Sequence, residues 1–122
     1  PDNVAGFMEN TGFPLTALDQ LIFNKWLAGE ARARGLSIGL KNDVEQQGSL
    51  LAYFDWGLTE DCFAQGWCAD SVPFINAGKP VFAVEYIDNN IIFNNFCAQV
   101  TPLGITGIYK YRALNAYLQI CP

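Results

Sequence analysis

Apolar and polar positions along the chain fall into four short hydrophobic runs, each closed by a polar or charged group. These are LSIGLKND (36–43), FDWGLTE (54–60), PVFAVEY (80–86) and GITGIYK (104–110). Apolar residues occupy nearly every position within them, which suits strands covered on both faces rather than strands with one wet side. Helix-compatible segments separate the runs: a polar piece over 43–52, a short one over 72–77, and a loop or short helix between the third run and the fourth. A longer helix precedes them all. Thr16 can cap its first turn with Asp19 three residues on, the pattern of a capping box. Leu18, Leu21, Ile22, Leu27, Ala28 and Ala31 recur near one face, Trp26 reads as core packing, and Gly35 after Arg32 and Arg34 is a stop signal. Spacings of about 18 to 25 residues between runs suit right-handed parallel crossovers. The expected fold class is therefore α/β with parallel strands.

Parallel α/β folds place their active sites at the carboxyl ends of the strands. Here those ends carry Lys41, Asn42, Asp43, Glu60, Asp61, Glu85, Tyr86 and Lys110. Asp2 and Asn3 fit the same ring, as the end of a strand whose body is absent from the chain. With 122 residues the chain is too short for a complete (β/α)8 barrel, which needs roughly twice that length. Residues 1–122 thus read as a single incomplete domain that begins in mid-barrel.

Composition narrows the chemistry. Seven basic against twelve acidic residues, a net charge of −5 and no basic cluster argue against nucleic acid and favour a cationic ligand. No apolar run approaches the ~20 residues of a membrane span. The absence of histidine rules out Ser-His-Asp and Cys-His arrangements within the chain, and neither a dinucleotide nor a phosphate-loop pattern occurs. No cofactor is implied, and carboxylates remain as the acid and base candidates. The four cysteines lack the spacing of a metal site and point to disulfides. Three connectivities exist for four cysteines. The five residues between Cys62 and Cys68 make a short surface loop natural, which leaves Cys97 to reach Cys121. An oxidising compartment follows, so the protein is expected to be secreted or displayed at the cell surface.

Five motifs in order carry a family resemblance: PDNVAGF, TGFPLTALDQLIFNKWLAGEARARGLSIGLKND, FDWGLTEDCF followed by a further cysteine, GKPVFAVEY and ITGIYK. Together they resemble glycoside hydrolase family 114 over nearly the whole chain. That resemblance implies a (β/α)8 TIM-type barrel acting as an endo-α-1,4-polygalactosaminidase on polysaccharide rich in galactosamine, with residues 1–122 as the carboxyl-terminal half of the barrel and the missing amino-terminal half as its partner. The aspartate of the family's PDN motif falls on Asp2 and the glutamate closing its FD…E strand falls on Glu60, which makes these two the expected catalytic pair. Asp2 is assigned as nucleophile and Glu60 as acid/base. The later glutamate falls on Glu85, assigned to substrate binding or to tuning its neighbours.

The residue chemistry agrees with that assignment, because glycoside hydrolysis needs one protonated and one ionised carboxyl group flanking the scissile bond. Whichever acid lies near Tyr86 or other apolar surface is expected to have the raised pKa. Lys41 and Lys110 are expected to orient substrate or partner carboxylates, and are equally readable as pairing within the barrel rim. Asn3, Asn42 and Asp43 complete the rim, with Asp43 equally readable as a helix cap, while Trp67 and Tyr86 are placed to stack on sugar faces. The competing reading is a non-catalytic amino-sugar-binding barrel, or a structural barrel remnant.

Overall fold

In the computed structural model, which describes residues 1–2 and 4–122, the four apolar runs form β1 (Gly39–Lys41), β2 (Trp56–Glu60), β3 (Val81–Tyr86) and β4 (Thr106–Lys110). They lie side by side in chain order, all parallel, with Lys41 opposite Leu58, Glu60 opposite Val84 and Tyr86 opposite Lys110. One element was not expected. The two-residue strand β5 (Gln119–Ile120) runs antiparallel on the outer edge of β4. The Cys97–Cys121 disulfide and the bond from the Cys121 amide to the Gly107 carbonyl, 2.9 Å, hold it there.

The helices are α1 (Ala17–Ala33), α2 (Gln47–Leu50), α3 (Cys62–Gln65), α4 (Val72–Asn76) and α5 (Phe93–Val100). Thr16 caps α1 through the expected capping box: its hydroxyl accepts from the Asp19 amide at 3.2 Å, while the Asp19 carboxylate accepts from the Thr16 amide at 3.0 Å. At the other end Gly35 adopts φ +68°, and the amides of Gly35 and Leu36 return to the carbonyls of Arg32 and Ala31. This is the left-handed turn that glycine permits.

The face that α1 buries differs from the apolar one. Gln20, Asn24 and Ala28 point inward, Leu21, Leu27 and Ala31 flank them, and Leu18 (63% exposed), Ile22 (58%) and Trp26 (57%) face out. Trp26 is therefore not core. Two buried amides override hydropathy because each is hydrogen-bonded, which removes the desolvation cost of placing them inside.

The sheet's two faces also part company. Thr59, Val81, Ala83, Glu85 and Tyr109 point to the helices and are buried, packed with Leu40, Leu50, Phe54, Phe74, Phe96 and Val100 in or around the core. The opposite face carries Lys41, Trp56, Leu58, Glu60, Phe82, Tyr86, Ile108 and Lys110, and most of it is only half-buried. Trp56, Leu58, Phe82 and Ile108 make its middle apolar like the covered face, yet these side chains stay partly exposed. Trp56 lies over Gly39, where a Cβ would fall 2.4 Å from the indole.

Gly107 sits under the second disulfide, where a Cβ would lie 2.4 Å from Cys121 Sγ and 3.0 Å from the Phe96 ring. Gly107→Ala is accordingly expected to force the cross-link off its site and to cost on the order of 2 to 4 kcal/mol, the typical worth of a disulfide. Thermal unfolding of the full-length protein checks this. An unchanged Tm for Gly107→Ala would mean that the close approach is not there.

Candidate active site at the carboxyl ends of the strands

Lys41, the last residue of β1, organises the site. Its ammonium lies 2.6 Å from Asp2 Oδ1 and 2.7 Å from Glu60 Oε2, so both carboxylates meet one cation. The other oxygen of Glu60 accepts a hydrogen bond from the Tyr86 hydroxyl. Asn42 takes left-handed backbone, φ 55°, and turns its side-chain oxygen onto the Glu60 amide at 2.9 Å, which fixes the end of β2 against β1. Asparagine tolerates that conformation better than most residues.

Charge states follow from these contacts. Burial works against ionising Glu60, but hydrogen bonds from Lys41 and Tyr86 outweigh it and hold the carboxyl below its usual range. Burial likewise pulls Lys41 down, and the bonds to Asp2 and Glu60 outweigh it, so the ammonium is held above its usual value. The Tyr86 phenol is pushed up, first by burial and then by Glu60, and it stays a donor. Glu60 is thus the acid beside Tyr86, but its pKa moves opposite to expectation. The contact is made through the hydroxyl, which stabilises a carboxylate, whereas an apolar ring face would desolvate it.

Beside the pair opens a cavity of about 670 Å³. Glu9, Asp43, Glu45, Glu60 and Asp61 line it, with Lys41 as the only cation among the described lining residues. Trp67 forms part of its wall, with its indole N–H donated to Gln65 at 3.0 Å. Asp43 is 2% exposed, accepts from Asn24 at 3.0 Å through one oxygen and has no partner for the other. Burial, partly opposed by that bond, pushes its pKa up to about 6. Its side chain makes no cap bond to the turn that follows. Asn24 also donates to the Val4 carbonyl at 2.9 Å and accepts from Gln20, whose own oxygen takes the Gly6 amide. This ladder anchors the segment that carries Asp2.

Two expected rim residues lie elsewhere. Glu85 is fully buried on the helix side of β3, one residue out of phase with Tyr86; it accepts from the Phe63 amide at 2.7 Å, and its second oxygen has no partner. Burial, against the backbone bonds from Phe63 and Ala64, raises its pKa. It holds the start of α3, next to the Cys62–Cys68 disulfide, and does not share a cleft with Glu60 and Asp2. Lys110 faces the same side as Tyr86, but its ammonium is committed to the carbonyls of Asn115 and Tyr117, both at 3.1 Å. Asn3 lies outside the described residues. Both disulfides pair as expected, Cys62 with Cys68 and Cys97 with Cys121.

Sequence reasoning missed Arg112. Its guanidinium sits 4.1 Å from the centre of the Tyr86 ring and bonds both oxygens of Asp61, at 2.9 and 3.0 Å. The residue lies in the loop past β4, outside every apolar run. Its one sequence signal is a cation two residues beyond a strand end.

No helix among the described residues is long and apolar enough to cross a membrane. A search of curated proteins gave no match. The solved structure of Aspergillus fumigatus Ega3 in complex with galactosamine is 31% identical, with a TM-score of 0.90; the alignment covers 99% of this chain and 52% of that one. The present chain therefore spans about half the length of that relative, and its open α/β sheet is part of a (β/α)8 barrel. The sequence matches the family description over residues 1–122, and the chain belongs to glycoside-hydrolase family GH114.

Proposed function

We propose that this chain is the carboxyl-terminal half of a secreted glycosidase barrel that cleaves α-1,4-linked galactosamine polymers with Asp2 and Glu60 as its two carboxylates. The observation that carries the proposal is their shared contact with Lys41. Two oxygens at 2.6 and 2.7 Å from one nitrogen can be no farther apart than the sum of those distances, roughly 5.3 Å. Inverting glycosidases hold their carboxyl groups ~6.5–9.5 Å apart to admit a water, whereas retaining ones need only ~5–5.5 Å. The geometry supports retention: one carboxylate attacks the sugar, the other serves first as acid and then as base, and Lys41 holds both in place. Substrate chemistry fits the field of the site. A galactosamine unit is cationic below its amine pKa, and the cavity beside the pair is lined by five carboxylates against one ammonium. The galactosamine bound to the Aspergillus relative supports the same class of sugar.

The remainder of the barrel would cover what this chain leaves open: the half-buried strand face around Trp56 and Leu58, and the outward stripe of Leu18, Ile22 and Trp26 on α1. The two disulfides support folding in an oxidising, extracellular setting.

The test is hydrolysis of α-1,4-galactosamine oligomers by the full-length protein, with the first-formed anomer read by proton NMR before mutarotation. The α product is expected. A β product would overturn retention, and failure to cleave any oligomer under conditions where the protein is folded would overturn the hydrolase reading.

A further inference from the structure

Glu60 is held from two sides. Lys41 holds Oε2 directly with its own charge. On the other side Tyr86 must be placed so that its hydroxyl meets Oε1, and the residue lying on its ring is Arg112. We propose that Arg112 is a positioning residue for the hydrolysis: by lying over the Tyr86 ring and clamping Asp61, it fixes the phenol that hydrogen-bonds Glu60 and aligns its carboxyl group. This deepens the reading of Glu60 as a catalytic carboxylate and rests on it.

Two other chain segments converge on this arginine. Asp61, directly after Glu60 at the end of β2, gives both carboxylate oxygens to it. Asp88, two residues after Tyr86, accepts the backbone amide of Arg112 at 2.7 Å, and Asn89 donates to Asp61 at 2.8 Å. The loop beyond β4 is therefore tied to the ends of β2 and β3 at the two places that flank the Glu60–Tyr86 hydrogen bond. Asp61 itself takes left-handed backbone, φ 59°, where the chain leaves β2.

Side-chain chemistry explains why an arginine serves here. A guanidinium is flat, so its face can lie on the ring while its edge hydrogen-bonds a carboxylate, and an ammonium cannot do both. A cation over the ring face is attracted by the phenol's π electrons, and the positive charge favours a more polarised O–H. Arg112 lowers the Tyr86 pKa in this way, against the larger upward effects of burial and Glu60. The better donor stabilises the Glu60 carboxylate. As a surface ion pair alone, the Arg112–Asp61 contact, with the arginine side chain half-exposed, would be worth little. Its consequence falls on Glu60, two contacts away.

The experiment compares wild type, Arg112→Gln, Arg112→Lys, Tyr86→Phe and the Tyr86→Phe/Arg112→Gln double variant in the full-length protein. It measures kcat and KM on galactosamine oligomers and the Glu60 carboxyl titration by 13C NMR. Arg112→Gln is expected to lower kcat roughly tenfold with KM within about twofold, and to move the Glu60 titration to higher pH. Arg112→Lys should recover part of both. In the Tyr86→Phe background Arg112→Gln should add nothing to either, because the route through the phenol is already cut. An unmoved Glu60 titration in Arg112→Gln, or an equal effect of Arg112→Gln with and without the Tyr86 hydroxyl, overturns the proposal. Should Arg112→Gln fail to fold, Arg112→Lys carries the test, and a Glu60 titration identical to wild type overturns it. Glu60→Gln separates this from failure of the underlying reading. If Glu60→Gln stays active, the catalytic pair is wrong. If Glu60→Gln is inactive while Arg112→Gln behaves as wild type, only the positioning role is lost.

Discussion

Glu60→Gln in the full-length protein is expected to lower kcat on an unactivated galactosamine polymer by roughly 10²-fold or more while KM changes little. The substitution keeps the shape of the side chain and its place at the end of β2, where the backbone amide is held by Asn42. It removes the charge that Lys41 contacts and the group that can attack the sugar or exchange a proton. Lys41 and Tyr86 contact different oxygens of Glu60, so with an amide in the same place one of the two donors faces an NH2 group in place of an acceptor. Binding should survive better than turnover, since Glu9, Asp43, Glu45 and Asp61 remain to attract an ammonium-bearing sugar. That attraction should weaken as salt rises. Near-normal turnover of the variant would remove Glu60 from the chemistry. Glu85 would not replace it, because its side chain faces the helices.

Much of this arrangement was legible in the chain. The four parallel strands stood out because each apolar run ends on a polar residue, and those ends do carry Lys41, Glu60 and Tyr86 to one rim. The capping box at Thr16 was legible because its two side chains satisfy each other locally. Phase within a strand was not. Residues 81–84 read Val-Phe-Ala-Val, apolar on both faces, so the pattern carries no record of which parity faces the cleft. Glu85 and Tyr86 could be told apart only by the fold. The inward face of α1 was hidden for a different reason. Hydropathy ranks Gln20 and Asn24 as surface residues, and only their partners, Gly6, Val4 and Asp43, turn them inward. Those partners lie up to 20 residues away in sequence. The edge strand β5 is two residues long and has no pattern of its own.

The largest stability effect is expected from that same inward face. Asn24 is fully buried, donates to both the Val4 carbonyl and Asp43 Oδ2, and accepts from Gln20. Asn24→Leu keeps the number and branching of the side-chain heavy atoms and would leave all three polar groups without that partner. Each orphaned buried group costs about 1–3 kcal/mol, so a loss on the order of 3 kcal/mol or more is expected in urea unfolding of the full-length protein. The loss should depend on pH, with a definite sign. Asp43 titrates at about 6 in the folded protein against 3.8 unfolded, so its ionisation already reduces wild-type stability as pH rises through that window. The Asn24 bond is the contact that eases this ionisation. Without it the Asp43 pKa rises further, and the deficit of the variant should widen as pH rises through about 6 and above. Activity should fall as well, beyond any change in folded fraction, because Val4 is two residues from Asp2 and its carbonyl is one of the ties that set where that carboxylate stands. Equal stability of Asn24→Leu and wild type at neutral pH would show that the buried amides are not what anchors the segment that carries Asp2.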